Sequence, residues 1–595
     1  MRESSVPAIV TADPDDNLTD LLVRAARDRG TSVMFSRRVA GVWQDVTAER
    51  FEADVVALAK GLVASGVRAG DRVGIMSKTR YEWTLADFAI WSAGAVTVPI
   101  YETSSAEQVS WILSDSGAVA IFTETGAHTA TVAEVRDTLP ALRDVWSIDN
   151  GAVDELVEAG RGVDDTEIDG RRRSLRGDSV ATIIYTSGTT GRPKGCELTH
   201  ANFGDLAANA VARLGSVVSA PGASTLLFLP LAHVFARFIQ VLAVASGARL
   251  GHTADVKNLI EDLGGFRPTF VLAVPRVFEK IYNSAEAKAE AGGKGKIFHA
   301  AADTAIAWSQ ATDAGRVPLT LTLRHALFDR LVYSKLRATL GGQVQYAVSG
   351  GAPLGTRLGH FFRGVGVTVL EGWGLTETTA PATVNTPEKI KIGTVGLPLP
   401  GVTVRVADDG ELLVKGVNVL RGYFNNAAAT AEAVEDGWFH TGDLGEIDAD
   451  GYVRITGRKK EIIVTAGGKN VAPSILEDRL RAHALVSQCM VVGDQKPFIA
   501  ALVTLDAEML PTWLANSGKP PMDVAQAAQD PDVRAEVQRA VDHANQAVSK
   551  AESIRSFVVL DTDFTEAGGH LTPKLSLKRQ VVLKEFAEQI EKIYS

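Results

Sequence analysis

Eleven residues, Tyr185-Thr-Ser-Gly-Thr-Thr-Gly-Arg-Pro-Lys-Gly195, combine three glycines, four Ser/Thr hydroxyls and one lysine. That composition suits phosphate. Glycines let the backbone come close and turn its N–H groups inward. The hydroxyls of Thr186, Ser187, Thr189 and Thr190 can donate hydrogen bonds, and Lys194 adds a point charge. The stretch is not a Walker A loop, whose lysine follows a glycine and precedes Ser or Thr. Here Pro193 precedes Lys194 and Gly195 follows it. The chemistry is that of a nucleoside triphosphate site outside the ordinary P-loop class.

Such a loop needs a rigid mount. The apolar run Val180–Ile184 before it reads as a buried strand. Upstream, Phe51, Val55, Leu58 and Leu62 repeat at helical spacing. Segments 72–77, 95–101 and 118–122 read as strands, alternating with helical patterns over 81–91 and 105–113. This is the rhythm of βαβ units around a parallel sheet. It returns after the loop, with strands expected at 225–230, 269–274, 346–349 and 367–370. The alanine- and charge-rich stretch 285–315 reads as exposed helix broken at Gly292-Gly-Lys-Gly295, either a lid or a surface decoration. From 401 to 456 short alternating segments flank Asp409-Gly410 and Asp450-Gly451, turn pairs of an antiparallel β block. After the basic cluster Arg458-Lys459-Lys460 the pattern becomes mixed α+β, with strands at 487–492 and 498–505 and a helix marked by Val533, Val537, Val541 and Ala544. The fold class expected is α/β. A large N-terminal unit, 1–457, holds two parallel-sheet subdomains and the small antiparallel block. A smaller α+β unit follows over 458–595.

Composition narrows the function. A net charge of −10 over 595 residues argues against a general nucleic-acid binder, so positive charge for a nucleotide must be local. Two cysteines, Cys196 and Cys489, fit a reducing compartment. No secretory signal is legible at Met1–Pro7 and no apolar run approaches the ~20 residues that span a bilayer. Cytoplasmic residence is expected, with reversible contact at a membrane surface left open.

Seven segments occur in one order. They are the 185–195 loop, Leu229-Pro-Leu-Ala-His-Val-Phe235, Val274-Pro-Arg-Val-Phe-Glu-Lys280, Ser349-Gly-Gly-Ala-Pro-Leu354, Glu371-Gly-Trp-Gly-Leu-Thr-Glu377, Thr441-Gly-Asp443 and Gly457-Arg-Lys-Lys-Glu-Ile-Ile463. With them the chain resembles the adenylate-forming acyl-CoA synthetases, and within these the bacterial long-chain fatty acid CoA ligases. The resemblance implies two steps at one site, with ATP, Mg2+ and CoA. A carboxylate first attacks the α-phosphorus, giving an acyl-adenylate and pyrophosphate; the CoA thiol then displaces AMP.

It also implies residue roles. Thr186, Ser187, Gly188, Thr189, Thr190, Gly191 and Lys194 would hold phosphates. Glu377 would ligate magnesium, with Thr189 as a second metal contact, and Thr376 would lie beside the α-phosphate. Trp373 would stack on adenine within Glu371-Gly372-Trp373-Gly374, and Gly350, Gly351 and Ala352 would line the other side of the base. Asp443 would bind the ribose diol, helped by Arg458. His233 would lie near the acyl carboxylate, against the alternative of a structural histidine. Arg237 would face the tunnel mouth or bridge to a neighbour. Lys460 would be the hinge, and Gly467 and Gly468 would face the CoA channel or form a tight turn.

One position departs from the pattern. Family members carry a catalytic lysine near the C-terminus, and Ser576 stands there in Leu571-Thr-Pro-Lys-Leu-Ser-Leu-Lys-Arg579. Lys574 and Lys578 lie two residues to either side, a spacing that shares a face in extended chain. Lys574 is the expected substitute. The competing functions are an acyl-AMP ligase that loads an acyl-carrier protein and a lipid- or nucleotide-binding sensor with impaired catalysis.

Overall fold

The computed structural model describes residues 1–11, 13–186, 192–254, 258–572 and 576–595. Two large sheets with parallel centres dominate. In the first, the strands Val180–Thr186, Val96–Ile100, Arg72–Met76, Ala120–Thr123 and Asp144–Ser147 run parallel in that order. All five residues of Val96–Ile100 are buried, so the strand reads as a continuous apolar run instead of an alternation. At the other edge Lys194–Thr199 folds back antiparallel on Val180–Thr186, and Gly422–Tyr423 adds to it. The glycine loop therefore joins two strands of a hairpin.

The second sheet has nine strands. Its parallel centre comprises Thr368–Leu375, Tyr346–Ser349, Phe270–Ala273, Ser224–Leu227, Arg249–His252 and Val33–Val39. The third sheet is antiparallel and includes Val402–Val406, Glu411–Gly416, Trp438–Ile447 and Val453–Arg458. Gly410 and Gly451 turn its hairpins at φ of 85° and 89°, a left-handed backbone that glycine adopts without strain.

One continuous apolar core runs through all three sheets, from Val73 and Ile75 through Leu250 and Leu272 to Val404 and Phe439. Helix Tyr81–Ser92 is buried at eleven of its twelve positions, so it lies within that core on every side. Helix Gly295–Asp313 departs from expectation. It is neither a lid nor decoration, because Phe298, Ala301, Ala302 and Ala305 enter a second core. A Cβ at Gly364 would come within 2.2 Å of the Ala305 carbonyl oxygen, which is how closely helix Thr356–Val365 approaches it.

Beyond Arg458, a 3-10 turn at Lys459–Glu461 leads to the small hairpin Ile463–Val464/Asn470–Val471. Next comes the three-stranded sheet Val486–Val492, Ile499–Leu505 and Ile554–Val559. This part has its own core, in which Val533, Val537, Val541 and Ala544 of helix Pro531–Asn545 are all buried.

Candidate active site

The strand Val180–Thr186 delivers Thr186 to its carboxyl end, and the return strand starts at Lys194 directly opposite. Ser187, Gly188, Thr189, Thr190 and Gly191 lie outside the described residues. Tyr423 pairs with Cys196 on the neighbouring strand, and its ring lies 5.1 Å below the Lys194 ammonium. The Tyr423 hydroxyl donates to Glu377 Oε1 at 3.0 Å. Burial and the Glu377 carboxylate both push the Tyr423 hydroxyl upward, so it stays protonated and donates. Burial, and then Glu377, does the same to the Cys196 thiol. Thr186, Lys194, Cys196, Tyr423 and Glu377 thus form one cluster.

Glu377 sits in a 3-10 turn, Thr376–Thr378, that is tied down on both sides. Its carbonyl accepts from Leu420 N at 2.8 Å, and Asn418 Nδ2 donates to the Thr378 carbonyl at 3.2 Å. Thr379 and Ala380 follow at φ of 54° and 79°. Two successive left-handed residues that are not glycine cost backbone energy, and such strain gathers at functional sites. Gly374 makes this turn possible: a Cβ there would come within 2.0 Å of the Ala380 carbonyl oxygen. Its smallness serves the backbone.

The same strand, Thr368–Leu375, carries Glu371 and Trp373. Trp373 is buried, and its indole N–H donates to Asp443 Oδ2 at 2.7 Å. Asp443 faces Arg458 across the antiparallel ladder, with Arg458 Nε 2.9 Å from Oδ1. Three residues assigned to the nucleoside are therefore linked side chain to side chain. Glu371 accepts from Leu354 N at 3.0 Å and pins the Gly350–Pro353 loop to the strand. Burial lifts its carboxyl from 4.5 to about 7, against the single backbone N–H that favours the charge. A Cβ on Gly350 would press on the Phe235 ring at 3.3 Å, while Gly351 is held at φ 84°. A Cβ on Gly372 would come within 3.0 Å of the Thr383 carbonyl oxygen, and Ala352 is exposed.

His233 caps helix Val234–Ser246, its Nδ1 accepting from Phe235 N at 3.2 Å. Arg237 lies one turn on in the same helix. It is fully buried and paired with Asp87, donating from Nε to Oδ2 at 2.9 Å and also to the Thr182 hydroxyl. The rings of Trp83 and Trp91 lie 5.4 and 5.3 Å from its guanidinium carbon. The bridge to a neighbour is thus its use. Lys460 is exposed in the 3-10 turn, and Gly467 and Gly468 form the turn of the small hairpin, with Gly468 N donating to the Thr465 carbonyl at 2.8 Å. Lys574 lies outside the described residues. Around it, Thr572 N donates to the Ser576 carbonyl at 2.8 Å and Ser576 N to Thr572 Oγ1 at 3.1 Å. Lys578 directly precedes helix Arg579–Glu585.

Tyr423, Cys196 and Asp87 escaped the sequence reading. Cys196 was within reach, because it lies two residues past Lys194 and so shares a strand face with it. Tyr423 belongs to a two-residue strand, too short to leave a pattern.

The AMP-binding enzyme family profile matches residues 22–424, and that of the AMP-binding enzyme C-terminal domain matches 460–595. The chain belongs to this adenylate-forming family. It is an ATP-using ligase that acts on a carboxylic acid through AMP chemistry. Among curated relatives it is 54% identical over 599 residues, covering both chains fully, to long-chain-fatty-acid–CoA ligase FadD15 of Mycobacterium tuberculosis. Among solved structures it matches the anthranilate CoA ligase AuaEII in complex with anthranoyl-AMP, at a TM-score of 0.72, 20% identity and 96% and 98% coverage of the two chains. It also matches the Bacillus subtilis o-succinylbenzoate CoA synthetase with ATP and magnesium, at 0.67, 21%, and 94% and 98%. These distant likenesses bear on the fold alone.

Proposed function

We propose that this chain is a magnesium-dependent long-chain fatty acid:CoA ligase of the cytoplasm. The full-length 54% identity to FadD15 carries the reading. The site is chemically suited to it. In the first step a carboxylate oxygen attacks the α-phosphorus, and the bond to pyrophosphate breaks. Thr186, Lys194 and the loop between them hold the β and γ phosphates; Lys194 offsets their charge as they leave. Thr376 sits beside the α-phosphate.

The donor set around Glu377 fits a hard divalent cation. It offers a carboxylate oriented by Tyr423 with the Thr376 hydroxyl next to it in the chain. Among the described residues no group of three or more His, Cys, Asp or Glu converges; magnesium held by Glu377 would take further oxygens from phosphate and water. Bound there, magnesium would neutralise phosphate charge. Trp373, Asp443 and Arg458 hold the nucleoside, and His233 approaches the acyl carboxylate.

In the second step the CoA sulfur bonds the acyl carbon, the bond to AMP breaks, and the thiol proton passes to solvent. The unit 458–595 turns near Lys460 between the steps, bringing Gly467 and Gly468 to the CoA arm. Lys574 supplies the charge that Ser576 lacks. A graded series of fatty acids with Mg-ATP and CoA tests the reading: CoA esters and AMP should form together and peak at long chains. Adenylate that passes only to an acyl-carrier protein would reassign the acceptor, and no acid-dependent pyrophosphate with any chain length would leave a sensor.

A further inference from the structure

Helix Ala106–Ser116 is fixed along its length. Ser105 and Gln108 close a capping box at its start, and Gly117 ends it at φ 60°. Val109, Ile112 and Leu113 are buried in a core shared with Val98 and Ile100 of the first sheet. Trp111 and Asp115, one turn apart, lie on one face of the helix. That face meets the glycine loop. The Trp111 indole N–H donates to the Pro193 carbonyl at 2.9 Å, and the Tyr185 hydroxyl donates to Asp115 Oδ2 at 2.6 Å.

Those two bonds fall on the two stems of one hairpin. Tyr185 and Thr186 pair with Gly195 and Lys194, so Tyr185 lies on the strand that enters the loop and Pro193 just before the strand that leaves it. Pro193 has a fixed φ and no N–H, and its carbonyl is the acceptor. Arg192, one residue back, places its guanidinium carbon 4.7 Å from the centre of the Trp111 ring. A cation over an indole face is attracted to it even at an exposed site. Trp111 thus grips two consecutive residues of the exit stem, directly before Lys194. A glycine-rich loop gives up backbone freedom when it closes on a ligand, and holding both stems in advance lessens that loss.

We infer that Trp111 and Asp115 are positioning residues for the triphosphate: from one helix face they hold both stems of the 185–195 loop, with Arg192 stacked on Trp111 as part of that hold. They act through the loop and Lys194, not through contact with nucleotide. The inference rests on the reading of 185–195 as the loop that holds the β and γ phosphates. AMP has neither phosphate, so loosening the mount should weaken ATP and spare AMP, whose nucleoside is held by Trp373, Asp443 and Arg458.

Titration calorimetry of the full chain with Mg-ATP and, separately, with AMP tests it without any acid substrate. Trp111→Leu removes both contacts and should raise the Kd for Mg-ATP about tenfold while that for AMP stays within about twofold. Asp115→Ala, which frees the entry stem, should act in the same direction. Trp111→Phe keeps a ring under Arg192 and should lose less than Trp111→Leu. Arg192→Gln should weaken Mg-ATP, and Arg192→Lys, which restores a cation over the ring, should recover part of that loss. Lys194 is exposed, so tryptic cleavage after it should speed several-fold in Trp111→Leu relative to cleavage elsewhere in the chain, and Mg-ATP should slow it. Lys194→Gln separates the two readings. If it weakens Mg-ATP and spares AMP while Trp111→Leu and Asp115→Ala bind Mg-ATP as wild type does, the inference is overturned and the loop reading stands. If Lys194→Gln leaves both affinities unchanged, the loop reading falls and the inference with it. Equal weakening of ATP and AMP by both Trp111 variants would show a purely structural role and would also overturn it.

Discussion

Tyr423 holds Glu377 through one hydrogen bond of 3.0 Å to a carboxylate. Such bonds are worth roughly 1.5–3 kcal/mol. Tyr423→Phe keeps the ring under Lys194 and removes only this bond, so apparent magnesium affinity in acid-dependent pyrophosphate release should fall about tenfold. An unchanged magnesium titration would show that Glu377 needs no such orientation. Glu371 makes a second prediction. Its carboxyl is raised to about 7 in the folded chain. The folded state therefore binds the extra proton between about 4.5 and 7, and stability falls as pH rises through that window. The burial penalty is complete above it and of the order of 3 kcal/mol. Glu371→Gln keeps the acceptor for Leu354 N and cannot ionise. Its melting temperature relative to wild type should climb between pH 5 and 7; a constant difference would contradict the assignment. At this scale the sequence motifs brought together Trp373, Asp443 and Arg458, which are contiguous in space. They were silent on Tyr423, whose place depends on a long-range strand pairing.

Among the elements, helices Tyr81–Ser92 and Val234–Ser246 are joined by the fully buried pair Asp87–Arg237. Each charge loses solvation, and each is held ionised by the other, by Thr97 and Gln240 on the aspartate, and by Thr182 on the arginine. Removing one partner strands the other, at about 3–5 kcal/mol. Arg237→Ala and Asp87→Ala should each lower the first thermal transition by several degrees, and the double variant should cost less than their sum. If Arg237→Ala instead melts as wild type and raises KM for long acids alone, the residue lines substrate after all. Helical spacing could bring Arg237 to the inner face of its helix but could not name its partner 150 residues earlier. The repeated strand–helix rhythm was legible for the same reason that Asp87 was not: periodicity reports local geometry, and partners come from topology. Thus the strand at 346–349 emerges with the expected limits, whereas Val33–Val39, which enters a sheet built mostly from later residues, left no signal of where it would pair.

For the whole molecule, the C-terminal part meets helix Pro275–Ala291 through polar contacts. Arg276 donates to the Arg481 and Val486 carbonyls at 3.2 and 3.4 Å and to Asp506 at 2.9 Å. Lys280–Glu508, both exposed, adds little. A contact of this kind can be broken and remade, as the proposed turn near Lys460 requires. Arg276→Ala should speed tryptic cleavage around Lys459–Lys460 several-fold while the melting of the N-terminal cores stays put; equal cleavage rates would remove Arg276 from the latch. Motif order made the adenylate-forming family legible over nearly the entire chain. The docking of the C-terminal part was not, because it rests on polar contacts without periodicity. The central claim is that the Lys194–Tyr423–Glu377 cluster holds a triphosphate so that a fatty acid can take AMP from it. Isotope exchange between pyrophosphate and ATP measures this without CoA. The account predicts exchange that requires both magnesium and a long-chain acid, and that Glu377→Gln reduces by orders of magnitude; exchange that is independent of the acid, or unaffected by Glu377→Gln, would contradict it.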